Sequence, residues 1–191
     1  MAYSHDNRVK YVVRYLYDID NNGVLDKNDF KCLAVRNTVV EAKGEFPADR
    51  FAINANVMDN LWNEIAALAD FDKNGEVDVD EFKQAVMKHC VGKSYAEFPV
   101  AFKAFIENQF KAVDVDGDGH VGLPEYRSDV ITRCAYTDVN EIDDAFSKLV
   151  SDADKAAGGI SLDRYKELYA QFIGSEAECP AMYLFGPLKE L

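Results

Sequence analysis

A twelve-residue pattern of acidic and amide side chains occurs three times and constrains the fold of this chain more than any other feature. The three segments are DIDNNGVLDKND at 18–29, DFDKNGEVDVDE at 70–81 and DVDGDGHVGLPE at 114–125. Each has oxygen-bearing side chains at positions 1, 3 and 5, glycine at position 6, an aliphatic residue at position 8 and an acid at position 12. This spacing predicts a loop that wraps a hard divalent cation such as Ca²⁺ between two helices.

The spacing of the pattern has a direct physical reason. Alternate residues of a tightly curved loop point inward, so positions 1, 3 and 5 place three short side chains on one side of the ion. The glycine at position 6 takes a positive φ that other residues adopt only at a cost in free energy, and the next carbonyl then turns inward. The acid at position 12 lies in the first turn of the following helix and closes the cage.

These positions predict the ligands of three sites. The predicted ligands of site 1 are Asp18, Asp20, Asn22, the carbonyl of Val24 and Asp29. Those of site 2 are Asp70, Asp72, Asn74, the carbonyl of Glu76 and Glu81. Those of site 3 are Asp114, Asp116, Asp118, the carbonyl of His120 and Glu125. At position 9, Asp26 and Asp78 reach the ion directly or through a water, whereas Gly122 has no side chain and leaves that place to a water.

A fourth segment, ADKAAGGISLDR at 153–164, keeps the glycines and the aliphatic residue of the pattern but lacks the ligands. Aligning Ile160 with position 8 puts Lys155 at position 3 and Arg164 at position 12, so a cation there would meet two positive charges. A shift that starts the loop at Asp152 still lacks the closing acid. We expect this loop to hold no metal and to keep a mechanical role, because the position-8 residues of paired loops meet in a short antiparallel bridge.

The segments that flank the loops have apolar residues at helical spacing. We therefore predict an all-α fold of four helix–loop–helix hands, arranged in two pairs that pack into one compact body. The expected divisions are an N-terminal pair at 1–92, a C-terminal pair at 93–176, and an apolar tail at 177–191 (hereafter the tail) that docks on the core. The helices that follow the loops are expected to start near Asn28, Val79, Leu123 and Leu162.

The charge of the chain supports cation binding and argues against two other classes of partner. The formal net charge is −13, and 12 carboxylates stand at positions 1, 3, 5, 9 and 12 of the three loops, so the remainder of the chain carries about −1. An acidic chain of this kind is unsuited to nucleic acid and to anionic membranes. We find no apolar run of signal-peptide or membrane-spanning length, and no CxxC pair among four cysteines, and we expect a cytosolic protein with reduced thiols.

With these motifs in view, the chain resembles the sarcoplasmic calcium-binding proteins of invertebrate muscle, particularly those of crustaceans. The likeness is carried by the three complete loops, the ligand-free fourth loop, the opening YVVRYLYDIDNNG and the LFGPL of the tail, and it covers the whole chain. The resemblance implies four EF-hands, high-affinity calcium sites that also take magnesium, and calcium buffering in the cytosol of fast muscle. It also implies a tendency to form homodimers, and several members are food allergens.

The closing residue of the first loop differs from the other two in a way that affects metal choice. Asp29 closes site 1, whereas glutamate closes sites 2 and 3. Aspartate is shorter by one methylene and tends to offer one oxygen where glutamate offers two, which suits six-coordinate Mg²⁺ better than seven-coordinate Ca²⁺. We therefore expect magnesium to compete with calcium most strongly at site 1.

Three functions are compatible with these motifs. The first is a soluble calcium/magnesium buffer, which is favoured because only three methionines follow Met1 and a methionine-rich target groove is typical of sensors. The second is a calcium sensor that exposes a target-binding surface. The third is a calcium-triggered enzyme similar to the photoproteins. The chain has one Trp and three His, with no HExxH, nucleophile elbow or phosphate loop, so we expect no enzymatic activity.

Overall fold

The elements of the computed structural model, which describes residues 1–191, follow the predicted order of helix, loop and helix. The α-helices and strands are α1 (His5–Tyr11), α2 (Lys27–Glu41), α3 (Ala48–Ala69), α4 (Val79–His89), α5 (Val100–Val113), β1 (His120–Val121), α6 (Leu123–Ile131), α7 (Val139–Leu149), α8 (Asp152–Ala157), β2 (Ile160–Ser161) and α9 (Leu162–Gly174). A π-helical segment (Val12–Tyr17) and two 3-10 helices (Tyr95–Glu97 and Pro180–Tyr183) complete the list. The four predicted starts of the helices after the loops are confirmed to within one residue.

The helices after the first two loops begin where an aspartate of the loop caps them. The Asp26 carboxylate accepts the backbone N–H groups of Asn28 and Asp29 at 2.6 and 3.3 Å, at the start of α2. The Asp78 carboxylate accepts the N–H of Glu81 at 2.8 Å, at the start of α4. N-cap side chains of this kind stabilise a helix by about 1 kcal/mol. The loop therefore fixes the direction of the helix that carries its own closing acid.

The position-8 residues pair the loops in the way the sequence predicts. Leu25 and Val77 exchange two backbone hydrogen bonds, each of 2.9 Å, across an isolated antiparallel bridge. Val121 in β1 pairs with Ile160 in β2, also antiparallel. The prediction that these residues meet is confirmed for both pairs, and the fourth hand keeps this contact although its loop lacks the ligand pattern.

The helix that enters the first loop widens before it ends. It is α-helical as far as Tyr11 and π-helical over Val12–Tyr17, where the N–H of Asp18 donates to the carbonyl of Val13 at 2.8 Å. The sequence predicted one regular helix here, because apolar spacing does not distinguish a π turn from an α turn. The wider turn buries four apolar side chains together, namely Val12, Val13, Leu16 and Tyr17.

The first half of the fourth loop is helical, which differs from the ligand-free calcium loop that we expected. The Ser151 hydroxyl accepts the N–H of Asp154 at 3.2 Å, and the Asp154 carboxylate accepts the N–H of Ser151 at 2.8 Å. This capping box starts α8, whose three alanines favour a helix. Gly158 ends the helix at φ +95°. Only the second half of the loop, with its bridge, keeps the geometry of the other three.

Four EF-hands pack as two pairs into one body with a continuous core. The core contains 45 buried apolar residues, from Val9 in α1 to Leu188 in the tail. The Tyr17 ring lies 5.9 Å from that of Phe82 and 5.0 Å from that of Phe105 (centroid to centroid), and so joins hand 1 to hand 2 and to hand 3. No helix of this body combines the length and the apolar character needed to cross a lipid bilayer.

Buried polar side chains of α1 hold the distant C-terminal part of the chain. Arg8 is 1% exposed, and its guanidinium donates to three carbonyls at the end of α9, those of Gln171, Phe172 and Ser175. Asn7 donates to the carbonyl of Lys189 at 2.7 Å and accepts the N–H of Leu191 at 2.8 Å. These carbonyl and N–H partners of Arg8 and Asn7 lie more than 160 positions along the chain from α1.

Candidate metal centres

The first three loops have the same backbone curvature, which the sequence predicted only in part. The glycines at position 6 all have positive φ, at +93°, +85° and +86° for Gly23, Gly75 and Gly119. Position 4 is also left-handed, with φ of +58° at Asn21, +60° at Lys73 and +77° at Gly117. Asn and Gly adopt this conformation readily, so residue type indicates a left-handed position 4 at Asn21 and Gly117 but not at Lys73.

The aspartate at position 1 is held by backbone amides from the far side of its loop. In the first loop, the Asp18 carboxylate accepts the N–H groups of Asn22 and Gly23 at 3.2 and 3.1 Å. Asp70 has the equivalent partners in its loop, whereas Asp114 accepts the N–H groups of Gly117 and Gly119, at positions 4 and 6. These bonds orient the carboxylate without neutralising its charge, so its remaining lone pairs stay available to a cation.

The closing acid at position 12 ties the two ends of each loop together. One oxygen of Asp29 accepts the N–H of Ile19 at 3.0 Å, and the other accepts the N–H of Asp26 at 2.9 Å. Glu81 and Glu125 make the same pair of contacts, with residues at positions 2 and 9 of their own loops. The aspartate and the two glutamates therefore occupy one common position despite their different lengths.

Carboxylates from positions 1, 3 and 12 converge in all three loops. In each cluster one oxygen per residue lies within 4.8 Å of the others; the clusters are Asp18–Asp20–Asp29, Asp70–Asp72–Glu81 and Asp114–Asp116–Glu125. Three negative charges at this separation repel one another, and a hard divalent cation that prefers oxygen ligands removes that repulsion. The donor sets of these three loops thus fit Ca²⁺ or Mg²⁺.

The other predicted ligand positions lie beside the clusters. The position-5 side chains Asn22, Asn74 and Asp118 each accept the N–H of the residue two positions on, at 3.0, 2.7 and 2.8 Å. The donors of these bonds are the residues at position 7, whose carbonyls are predicted metal ligands, namely Val24, Glu76 and His120. The position-9 residues Asp26 and Asp78 act as helix caps, a role that the sequence analysis missed although Asp-x-x-Asp and Asp-x-x-Glu before a helix are readable capping signals.

Site 1 is more enclosed than the other two. Asp18 is 5% exposed and Asp29 is 1% exposed, whereas the corresponding acids of sites 2 and 3 are half-buried. Burial raises the pKa of Asp29, and hydrogen bonds from the backbone of Asp26 and Ile19 act in the opposite direction. A buried carboxylate with a raised pKa gains more from a divalent partner than a solvated one does.

The fourth loop has no cluster of this kind, because its acids face its own cations. The Arg164 guanidinium lies 3.5 Å from the carboxylate of Asp154, and the Lys155 ammonium lies 3.4 Å from that of Asp152. These pairs already balance the negative charge of the loop.

Comparisons with known proteins agree with this architecture. The family model described as EF hand matches residues 106–131, which contain the third loop. The sarcoplasmic calcium-binding protein alpha chain of Penaeus vannamei is 69% identical over 190 residues, covering 99% of this chain and 98% of the relative. Sarcoplasmic calcium-binding protein 1 of Astacus leptodactylus is 66% identical over 191 residues, covering both chains in full. The chain belongs to the sarcoplasmic calcium-binding protein family. The predicted resemblance is therefore confirmed.

Two solved structures are similar in fold to this member of the sarcoplasmic calcium-binding protein family. The sarcoplasmic calcium-binding protein from amphioxus aligns with a TM-score of 0.78 and 25% identity over 95% of each chain. The coelenterazine-binding protein from Renilla muelleri aligns with a TM-score of 0.58 at 17% identity over 96% of each chain. The second likeness shows a shared fold alone.

Proposed function

We propose that this chain binds Ca²⁺ at three sites and buffers calcium in the cytosol of muscle. The sites are those built on the acidic clusters of the first three loops, with ligands from positions 1, 3, 5, 7 and 12. The observation that carries the proposal is the convergence of three carboxylate oxygens within 4.8 Å in each loop. Membership of the sarcoplasmic calcium-binding protein family supports both the choice of ion and the location.

The fourth hand is proposed to be free of metal. A cation at this loop would have to displace Arg164 and Lys155 from their carboxylates and unwind α8. The bridge between Val121 and Ile160 gives the fourth hand a structural role that requires no ion, because it pairs the third loop with a partner strand.

Magnesium is proposed to compete with calcium, most strongly at site 1. The closing acid there is the shorter aspartate, and its carboxylate is 1% exposed. A small, enclosed cage with single-oxygen closure favours the compact octahedral shell of Mg²⁺.

A buffering role is proposed in preference to a sensing role because the apolar surface of the C-terminal pair is already covered. Tail residues Leu184 and Phe185 are 3% and 0% exposed, packed against the helices that a sensor would open. A homodimer, implied by the resemblance, stays a prediction.

Isothermal calorimetry with and without millimolar Mg²⁺ tests the proposal. We expect three calcium ions per chain, weaker apparent calcium affinity in magnesium, and no rise in the fluorescence of a hydrophobic dye on calcium addition. A stoichiometry of four contradicts the metal-free fourth hand. Strong dye fluorescence that appears only with calcium contradicts the buffer and supports a sensor.

A further inference from the structure

The tail (residues 177–191) lies in an apolar groove between helices of the C-terminal pair and α1. Its 3-10 helix packs against α7 and α9. The Phe185 ring is fully buried and stands edge-on to Phe172, with centroids 4.9 Å apart. The Tyr11 hydroxyl of α1 donates to the carbonyl of Phe185 at 3.2 Å. Grooves between paired EF-hand helices are the surfaces on which sensors bind target helices, so here the chain supplies its own occupant.

Two residues on one face of α6, and a third in the turn that follows the helix, contact this occupant. The Tyr126 hydroxyl donates to the carbonyl of Tyr183. Val130, one turn later, packs so closely on Gly186 that a Cβ there would lie 2.6 Å from its side chain. Arg133 places its guanidinium 5.2 Å from the centroid of the Phe185 ring. Tyr126 and Val130 lie one turn apart on one side of α6, and Arg133 lies in the turn after it, so the tail contacts both the helix and its C-terminal end.

The same helix carries the closing acid of site 3. Glu125 is in the first turn of α6, and the next residue is Tyr126, which holds the tail. The Glu125 carboxylate also accepts backbone N–H groups at both ends of its loop, from Val115 at 2.8 Å and Gly122 at 3.0 Å. A shift of this carboxylate on ion binding would be passed to Tyr126, because the two residues are adjacent in the first turns of α6.

We propose that the tail is an intramolecular ligand of this groove and that its docking is thermodynamically coupled to calcium binding at site 3. The inference rests on the proposed function, because it needs site 3 to bind the ion. Coupling of this kind is reciprocal: calcium tightens the docked tail, and the docked tail raises the calcium affinity of site 3 by the same factor.

Amide hydrogen exchange in the full-length protein tests the first half of this reciprocity. The reporters are the backbone N–H groups of Leu184 and Gly186, which donate within the tail to Ala181 and Tyr183. We expect calcium to slow their exchange about tenfold relative to EDTA. The slowing should disappear in Glu125→Gln and persist in the matched variant Glu81→Gln, which alters the equivalent acid of site 2. Equal exchange with and without calcium in the unmodified chain, or equal loss in both variants, overturns the coupling.

Calcium affinity tests the second half without disturbing any predicted ligand. Tyr126→Phe removes one hydroxyl contact with the tail, and we expect site 3 to bind calcium about threefold more weakly, a change in the range of one net hydrogen bond. Tyr95→Phe is the control, because it removes a hydroxyl that lies within hydrogen-bond distance of the Glu107 carboxylate and the Lys103 carbonyl, away from the tail. Identical site 3 affinities in the two variants overturn the proposal. Failure of the proposed function would appear differently, as an unchanged calcium stoichiometry in Glu125→Gln.

Discussion

At the scale of single residues, the closing acids of the three loops differ in length but reach equivalent backbone partners. Asp29 reaches the same two backbone partners, at positions 2 and 9, that Glu81 reaches with a longer side chain. The loops are therefore close enough in geometry for their closing acids to be exchanged. This equivalence makes the difference of one methylene directly testable.

Asp29→Glu is expected to raise the preference of site 1 for calcium over magnesium, because the second oxygen of glutamate completes a seven-coordinate shell. The reciprocal change, Glu81→Asp, should lower the same preference at site 2. Calorimetric titrations with calcium in the presence and absence of magnesium measure both. Unchanged selectivity in the pair of variants would show that the length of the closing acid does not set the metal choice.

The single tryptophan provides a reporter for site 1. Trp62 is 6% exposed, and its ring lies 5.5 Å from that of Phe30, which directly follows Asp29. Filling site 1 should therefore change tryptophan emission. We expect Asp29→Asn to remove this response and Glu125→Gln to retain it, as measured by fluorescence during a calcium titration. A response that survives equally in both variants would contradict the link between Trp62 and site 1.

At the scale of elements, the short antiparallel bridge between the third and fourth loops leaves no space for a side chain at the residue before β2. Gly159 precedes β2, and a Cβ at this position would lie 2.5 Å from the backbone oxygen of Val121. Backbone cannot yield as a flexible side chain does, so only glycine allows the third and fourth hands to approach this closely.

Gly159→Ala is expected to destabilise the protein by about 1–3 kcal/mol, because the added methyl group separates β1 from β2. Gly122→Ala is the matched control on the opposite side of the bridge, where the nearest atoms lie at 3.6 Å. Urea denaturation in saturating calcium measures both. Equal stability of the two variants would mean that the bridge tolerates the extra volume.

The elements that the sequence predicted are those specified by local rules. Loop glycines and helix starts follow from spacing, because each depends on residues within one hand, and the position-8 pairs follow from the repetition of one loop pattern in neighbouring hands. The π-helical segment Val12–Tyr17 does not, and its Tyr17 contacts rings from other hands that local spacing cannot specify. The helix α8 was not predicted, because Gly158, Gly159 and Ile160 match the spacing of the other loops, although the alanines and the Ser151 capping box favour a helix. The loop pattern predicted which carboxylates converge in each cluster. It did not predict that site 1 is more buried than the other two, because burial depends on packing between hands.

At the scale of the whole molecule, charge is concentrated where the ions are proposed to bind. Three divalent ions would change the formal charge from −13 to −7. Without them, repulsion among clustered carboxylates opposes the folded state, and salt screens that repulsion because the Debye length falls from about 10 Å at 0.1 M to about 3 Å at 1 M.

The melting temperature in EDTA is therefore expected to rise with potassium chloride concentration, whereas the melting temperature in calcium should change much less. Thermal unfolding followed by circular dichroism at low and high salt measures this difference. The same salt dependence in both states would show that the acidic clusters do not limit the stability of the metal-free protein.

The contacts of Arg8 also affect when the protein can complete its fold during synthesis on the ribosome. The guanidinium of this residue in α1 is enclosed and finds its three carbonyls only at the end of α9. Nearly the entire chain must leave the exit tunnel before that cation can be satisfied. The contacts of α1 with the end of α9 therefore form only when translation is nearly complete, whereas its packing on α4 and the Lys83–Asp6 ion pair can form earlier.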